Sequence, residues 1–183
     1  MVSLASVASR FEISFQVIEG GSGNVVGVLS ETEQGSQPSY VFVSPRHVLR
    51  VRLPNALREG MVIRTPSGDR FIVGHNGPSE GRSGTLFQSY RLFEPTGQYL
   101  WQRRSKTVDP VTNVEREGAP VTMGTVWAAL EQIDREQFDS KLRASFEIAR
   151  FITGANVQSD DLIDGRRVTR SDVTLGLRIG TIQ

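Results

Sequence analysis

The chain has 183 residues, and its composition excludes several protein classes before any motif is considered. It contains no cysteine and two histidines, which excludes disulfide scaffolds, cysteine zinc sites and thiolate nucleophiles and disfavours histidine-rich metal sites. A hydrophobic content of 38% predicts a folded core, and 21 basic against 20 acidic residues give a net charge of +1. Proteins that neutralise many phosphates are usually far more basic.

Arginine carries nearly all of the positive charge, since Lys106 and Lys141 are the only lysines. The planar guanidinium pairs bidentately with carboxylates and loses its hydration more readily than an ammonium group. Because acidic residues are almost as numerous, we expect ion pairs within the chain or between subunits more than contacts to phosphate. The N-terminus does not resemble a secretory signal, and no apolar run approaches the ~18 residues that span a bilayer. A soluble protein without membrane contact is expected.

Short apolar runs separated by glycine and proline predict a strand-rich first half. In Val48–Leu53, the period of two predicts that Leu49, Val51 and Leu53 face the core. Arg50 and Arg52 then share the opposite face. The predicted strands are Phe11–Ile18, Val25–Leu29, Tyr40–Val43, Val48–Leu53, Met61–Thr65, Arg70–Val73 and Leu86–Phe93, and the predicted loops are Gly20–Asn24, Ser30–Ser39 and His75–Gly84.

The segment Glu94–Pro120 is polar and contains three prolines, which predicts an ordered crossover or partner-contacting segment. Its aromatic stretch Tyr99–Trp101 should pack on something. We therefore predict a β-rich N-terminal domain or arm at 1–97, a crossover segment at 98–120, and a small β-barrel with one short helix at 121–183. The fold class is mainly β.

The second half combines strand patterns with one helix pattern. Periodicity does not distinguish a strand from a helix at Val126–Ile133. Asp134–Gln137 resembles a capping box and predicts a helix at Arg135–Ser145. A strand at Phe146–Ile152, a two-residue hairpin turn at Asp164–Gly165 and one or two strands at Val173–Ile182 complete the prediction.

The two halves share a similar hairpin pattern. Met61–Val73 and Asp161–Val168 each place an apolar pair before a turn and an apolar run after it. A duplication explains the pattern, and so does chance, because β-hairpins resemble one another.

Candidate chemistry is sparse, and the sequence predicts no catalytic, cofactor-binding or metal-binding residue. His47 and His75 have no Gly-x-Ser-x-Gly partner motif, which favours surface or capping roles. Asp160, Asp161 and Asp164 carry carboxylate oxygens, which are the ligands that calcium prefers, but their spacing is not that of a calcium-binding loop. They are interpreted as solvated or turn-capping groups, with cation binding or a hydrolase role left open.

Aromatic and basic residues also alternate at one point in the chain. Tyr99, Trp101 and Arg103–Arg104 supply the stacking surface and positive charge that single-stranded nucleic acids require. A nucleic-acid-binding β-barrel is therefore an alternative hypothesis.

The second half resembles the head-tail joining proteins of tailed bacteriophages, the small β-barrel stopper or head-completion family. The resemblance is carried, in family order, by the Trp-Ala strand Val126–Glu131, the helical stretch Asp134–Ser145, the strand Phe146–Ile152, the hairpin Ser159–Val168 and a closing strand. In that family an aromatic residue often follows the hairpin glycine, where this chain has Arg166.

This resemblance implies a non-enzymatic structural protein of the virion neck, assembled in the host cytoplasm. Such a protein forms a homo-oligomeric ring between the portal or adaptor and the tail proteins, and packaged DNA passes through it without sequence-specific binding. No cofactor is implied. A tail-completion or baseplate component is the nearest alternative.

Overall fold

The computed structural model describes residues 12–31, 45, 47–78, 87–135 and 146–183, and the described chain is mainly β, as predicted. Its strands are β1 (Glu12–Glu19), β2 (Asn24–Glu31), β3 (His47–Arg52), β4 (Val62–Arg64), β5 (Arg70–Pro78), β6 (Phe87–Phe93), β7 (Gly97–Val108), β8 (Glu115–Arg135), β9 (Phe146–Thr153), β10 (Leu162–Ile163), β11 (Arg166–Thr174) and β12 (Leu177–Ile182). Among the described residues, no helix has the length and apolar character needed to cross a membrane.

The chain divides into two compact units. The first comprises residues 1–95 together with Leu175–Leu177, and the second comprises residues 96–174 and 178–183. Each unit contains one closed antiparallel barrel of six strands. Closure leaves no free sheet edge within the barrel wall, which protects the strands from pairing with other chains.

The first barrel has the strand order β1-β2-β3-β6-β5-β4, and the pairing of β1 with β4 closes it. Leu49 and Val51 of β3 are buried and Arg50 and Arg52 are exposed, which confirms the predicted alternation for those four residues. Leu53 is 44% exposed, so its predicted inward position is wrong; it lies beyond the end of β3, where the alternation stops.

The second barrel has the strand order β10-β11-β12-β9-β8-β7, and β7 pairs with β10 to close it. Its core contains Phe151, Ile163, Val168 and Ile182, each fully buried. The aromatic side chains at positions 99 and 101 pack against this core, which confirms that the predicted aromatic stretch contacts another part of the fold.

The two barrels have the same topology. Read from the first strand of each unit, both follow the order 1-2-3-6-5-4. The hairpins matched in the sequence, β4–β5 and β10–β11, are the fourth and fifth strands of their barrels. Equivalent positions are what a duplication requires, although a shared topology also arises independently.

The predicted crossover segment 98–120 is wrong, because these residues form most of β7 and the start of β8. The two strands pair from Gly97↔Ala128 to Val108↔Glu115. The segment lacks an apolar alternation because much of it packs on no core, and Pro120 lies opposite Arg104 beside an irregularity in the ladder. Consequently the second barrel needs β7 and is larger than the predicted 121–183.

Three further predictions have definite outcomes. The 126–133 segment, which periodicity left open, is a strand within β8. Strand β8 continues to Arg135, so the predicted helix does not begin at Asp134 or Arg135, and the rest of that helix lies outside the described residues. The predicted 75–84 loop is wrong at its start, since β5 extends to Pro78. The Asp164–Gly165 turn is confirmed by φ angles of 53° and 78° and by the pair Ile163↔Arg166. The predicted strand at 40–43 lies outside the described residues.

Candidate functional site: an ion-paired hairpin arm

The outer part of the β7–β8 hairpin, residues 103–121, extends past the strands that flank it. Strand β10 pairs with β7 only at Trp101 and Gln102, and β9 pairs with β8 only from Ala128 onward. Between those limits, the described ladder joins β7 to β8 alone. We call residues 103–121 the hairpin arm. A two-stranded ribbon is marginally stable by itself, so other contacts must stabilise it.

A compact turn ends the hairpin arm. The Asp109 carboxylate accepts hydrogen bonds from the backbone N–H groups of Val111 and Thr112, at 2.9 and 3.3 Å. These bonds lower the pKa of Asp109 below its ordinary value. Asn113 adopts a φ of 52°, a conformation that asparagine tolerates better than most residues. The turn therefore has a fixed geometry of its own.

The tip of the arm is apolar and exposed. Val108 is 56% exposed, Val111 90% and Val114 55%. We call these three residues the valine tip. Further down the arm and its base, Val121 and Met123 are also exposed. The three valines fall within seven consecutive residues at the turn, and grouped exposed apolar side chains indicate contact surfaces more often than scattered ones do.

At the base of the arm, a buried carboxylate joins β7 to the segment before β10. The Asp161 side chain is 3% exposed. It accepts hydrogen bonds from Arg103 Nε at 2.8 Å, Arg103 Nη2 at 2.9 Å, Trp101 Nε1 at 2.9 Å and the Gln158 backbone N–H at 2.9 Å. The guanidinium of Arg103 also lies 5.3 Å from the centre of the Trp101 ring. We call these four residues the Asp161 cluster.

The electrostatics of the cluster explain how a carboxylate is tolerated there. Burial by itself raises the pKa of Asp161, because the ionised form loses hydration. The hydrogen bonds from Arg103, Gln158 and Trp101 outweigh burial, and the pKa falls below its ordinary value. Arg103 shows the matching effect, since its hydrogen bond to Asp161 raises the pKa of the guanidinium.

A second set of charges lies next to this cluster on the surface. Glu117 contacts Arg104 at 2.6 Å and Arg167 at 3.1 Å, while Asp160 contacts Arg167 at 2.7 Å and Lys106 at 2.7 Å. The chain Arg104–Glu117–Arg167–Asp160–Lys106 thus alternates in sign. We call it the surface ion-pair network. It links both strands of the arm to the β10–β11 hairpin.

The network favours the ionised form of its two acids. Hydrogen bonds from Lys106 and then Arg167 lower the pKa of Asp160, and a hydrogen bond from Arg104 lowers the pKa of Glu117. Asp160 itself has a φ of 73°, a left-handed conformation that aspartate tolerates better than most residues. Single exposed pairs contribute little, but linked charges with good geometry hold a local arrangement.

Two candidate sites from the sequence therefore form a single structure. Arg103 pairs with Asp161, and Arg104 pairs with Glu117, so both guanidinium groups already have carboxylate partners within the chain. The carboxylates of Asp160 and Asp161 accept hydrogen bonds from basic side chains. Within the described residues, no group of three or more acidic or histidine side chains is placed to hold a metal ion. Cation binding or phosphate binding would have to break these ion pairs.

The remaining sequence candidates lie elsewhere. His75 Nδ1 is 2.6 Å from Glu59 Oε1, and His47 Nδ1 is 3.4 Å from Glu94 Oε1. Hydrogen bonds from its own backbone amide and from His75 lower the pKa of Glu59, although burial opposes them. Asp164 occupies the β10–β11 turn and is exposed, and it belongs neither to the Asp161 cluster nor to the surface ion-pair network.

Sequence reasoning missed the pairing partners and the valine tip. Arg103 and Asp161 are 58 residues apart, so only the closure of the barrel brings them together. The signal for the tip was present in the motif Val108–Asp109–Pro110, because aspartate followed by proline favours turn initiation.

Together, the fold and the site define a double β-barrel protein with an ion-paired hairpin arm that ends in exposed valines. No family model matches the chain, and neither the curated proteins nor the solved structures contain a match to it.

Proposed function

We propose that this protein is a structural component of the virion of a tailed bacteriophage, located in the neck. It forms an oligomeric ring that joins the portal or adaptor to the tail and lines or closes the DNA channel. It has no enzymatic activity and no cofactor, and it assembles with the virion in the host cytoplasm without membrane contact.

The observation that carries this proposal is the hairpin arm. The surface ion-pair network and the Asp161 cluster hold its base, while the valine tip is exposed at its end. An enzyme positions reactive groups in a cleft, whereas a joining protein positions a contact surface away from its core. A fixed base with an exposed apolar end suits the second task.

The charge arrangement supports passage of DNA without binding it tightly. Affinity for DNA comes mainly from cations that replace the counterions of the phosphates. Here Arg103, Arg104 and Arg167 are already paired with carboxylates. A channel wall of this kind lets DNA slide.

The other hypotheses differ in what they require of these residues. A nucleic-acid-binding barrel needs Trp101 and Arg103 for stacking and phosphate contact, but both donate hydrogen bonds to Asp161. A tail-completion or baseplate component requires the same barrel and arm, so it differs from the neck proposal only in its position in the particle.

Localisation in the particle tests the proposal. The phage that encodes this chain is grown with an epitope tag on the protein, and purified particles are labelled with gold and imaged by electron microscopy. The proposal predicts label between head and tail. Label at the distal tail end supports the tail alternative, and particles without label contradict a virion role.

A further inference from the structure

A second surface with exposed apolar side chains lies in the first barrel. A pocket of about 580 Å³ opens in the first barrel, between β1, β2 and the segment after β3. This volume lies within the range of roughly 300–1,000 Å³ that is typical of ligand pockets. Its apolar lining includes Val17, Val26, Pro54, Ala56 and Met61.

Large exposed apolar side chains of the described residues lie on the β7–β8 hairpin and at the pocket, and Val173 on β11 is a further one. Among the described residues, the large exposed ones on the β7–β8 hairpin are Leu100, Val108, Val111, Val114, Val121 and Met123. Val26, which is 50% exposed, lines the pocket. Leu53, which is 44% exposed, lies beside it, because the next residue, Pro54, is part of the lining. The exposed valines and the apolar part of the pocket lining both lose contact with water when the tip fills the pocket, which stabilises the contact.

Both surfaces carry charges of each sign, because Arg116 pairs with Asp109 at the tip and Arg52 pairs with Glu12 at the pocket. The opposite charges that remain for a contact are Glu115 at the tip and Arg58 at the pocket. Arg52 and Arg58 line the pocket. At the tip, Glu115 is exposed and is the cross-strand partner of Val108, so the two side chains lie on the same face of the ribbon. A carboxylate beside the inserted valine would therefore meet a guanidinium at the pocket.

We infer that the valine tip of one copy of this chain inserts into the first-barrel pocket of a second copy, with Glu115 paired to Arg58. The contact joins two different surfaces, so each added subunit leaves a free tip and a free pocket. Heterologous contacts of this type close into rings when the rotation between subunits permits. The inference rests on the proposed function and deepens it, because it names the interface of the ring.

Charge exchange between the two surfaces tests the inference. E115R and R58E, each alone, should raise the concentration at which half of the protein is assembled, measured by sedimentation velocity. The double variant E115R/R58E should restore assembly towards the wild-type concentration, because the pair is present with its charges exchanged. Restoration by the double variant is the specific signature of a contact between these two residues.

A second pair of variants tests the apolar part. V111D should weaken assembly by about tenfold or more, because it places a charge on a side chain that the contact buries. Its folding should be unaffected, since Val111 is 90% exposed in the single chain. V173D is the matched control, because Val173 is 64% exposed on β11, outside both surfaces, and it should assemble normally.

Each outcome has a definite meaning. Loss of assembly in V111D with rescue in the double charge variant supports the inference, provided that circular dichroism shows both variants folded. A wild-type chain that stays monomeric up to high concentration, or rings that persist in V111D, overturns it. Rings that persist in V111D would leave the neck proposal intact, whereas absence of the protein from particles would defeat that proposal independently.

Discussion

Replacing Arg103 by methionine should destabilise the second barrel by about 3 kcal/mol at pH 7. The variant keeps most of the apolar stem but removes two of the four hydrogen bonds that the Asp161 carboxylate accepts. Breaking a buried pair by removing one partner typically costs about 3–5 kcal/mol. The lower end applies because the Arg103 side chain is 31% exposed and water screens part of the interaction.

The destabilisation should also depend on pH, with a sign that follows from the Asp161 carboxylate. In the wild type, its pKa is lowered, so it contributes stability above the unfolded value of about 3.9 and loses that contribution as pH falls through the folded value. In R103M, the hydrogen bonds and charge that contribute most to lowering the pKa are removed, so the folded pKa of Asp161 rises. The native variant then gains its proton at a higher pH than the native wild type, so the difference in stability between them shrinks as pH falls from 7 towards 4.

Urea unfolding followed by tryptophan fluorescence measures this difference. Trp101 and Trp127 are the two tryptophans of the chain, and both lie in the second barrel, so the signal reports on that barrel. The control is R116M, because Arg116 is 72% exposed and pairs with Asp109 at 3.2 Å. It should leave the midpoint nearly unchanged. Equal effects of R103M and R116M, or an R103M effect that is the same at pH 7 and pH 4.5, would refute the reasoning.

Three further predictions concern the Asp164–Gly165 turn, calcium and single-stranded DNA. G165A should lower the free energy of unfolding by about 1 kcal/mol, because a φ of 78° strains alanine even though no atom lies within 4 Å of the added methyl group. D164N is the control and should leave stability unchanged. Equal thermal midpoints for the wild type and both variants would contradict this prediction. Millimolar calcium should leave the thermal midpoint within about 1 °C of the midpoint in chelator. A calcium site filled at about 100 times its Kd would instead raise the free energy of unfolding by about 2.7 kcal/mol, and a clear rise in the midpoint would contradict the prediction. Labelled single-stranded DNA should show no anisotropy change at ~50 mM salt, and salt-sensitive binding there would favour the nucleic-acid hypothesis.

Local signals in the sequence predicted local structure well. The Asp164–Gly165 dipeptide defines a two-residue turn by backbone preference alone, and that turn is present. Alternation in β3 likewise identified Leu49 and Val51 as buried, because a strand with one face on a core has a period of two.

Non-local structure was not accessible in the same way. Barrel closure depends on pairing β1 with β4 and β7 with β10, which no local pattern encodes. The hairpin arm was interpreted as a crossover because an exposed ribbon lacks the apolar alternation that reveals core strands. Arg103 and Asp161 were assigned to two different hypothetical sites, since their pairing becomes evident only when the barrel is assembled.

The central claim is that this chain forms a ring between a portal and a tail. Native mass spectrometry of the purified chain, alone and mixed with the portal and tail proteins of the same phage, tests it most directly. The account predicts one closed oligomer with a single subunit number, which binds the portal or the tail protein. A monomer in every mixture would contradict it.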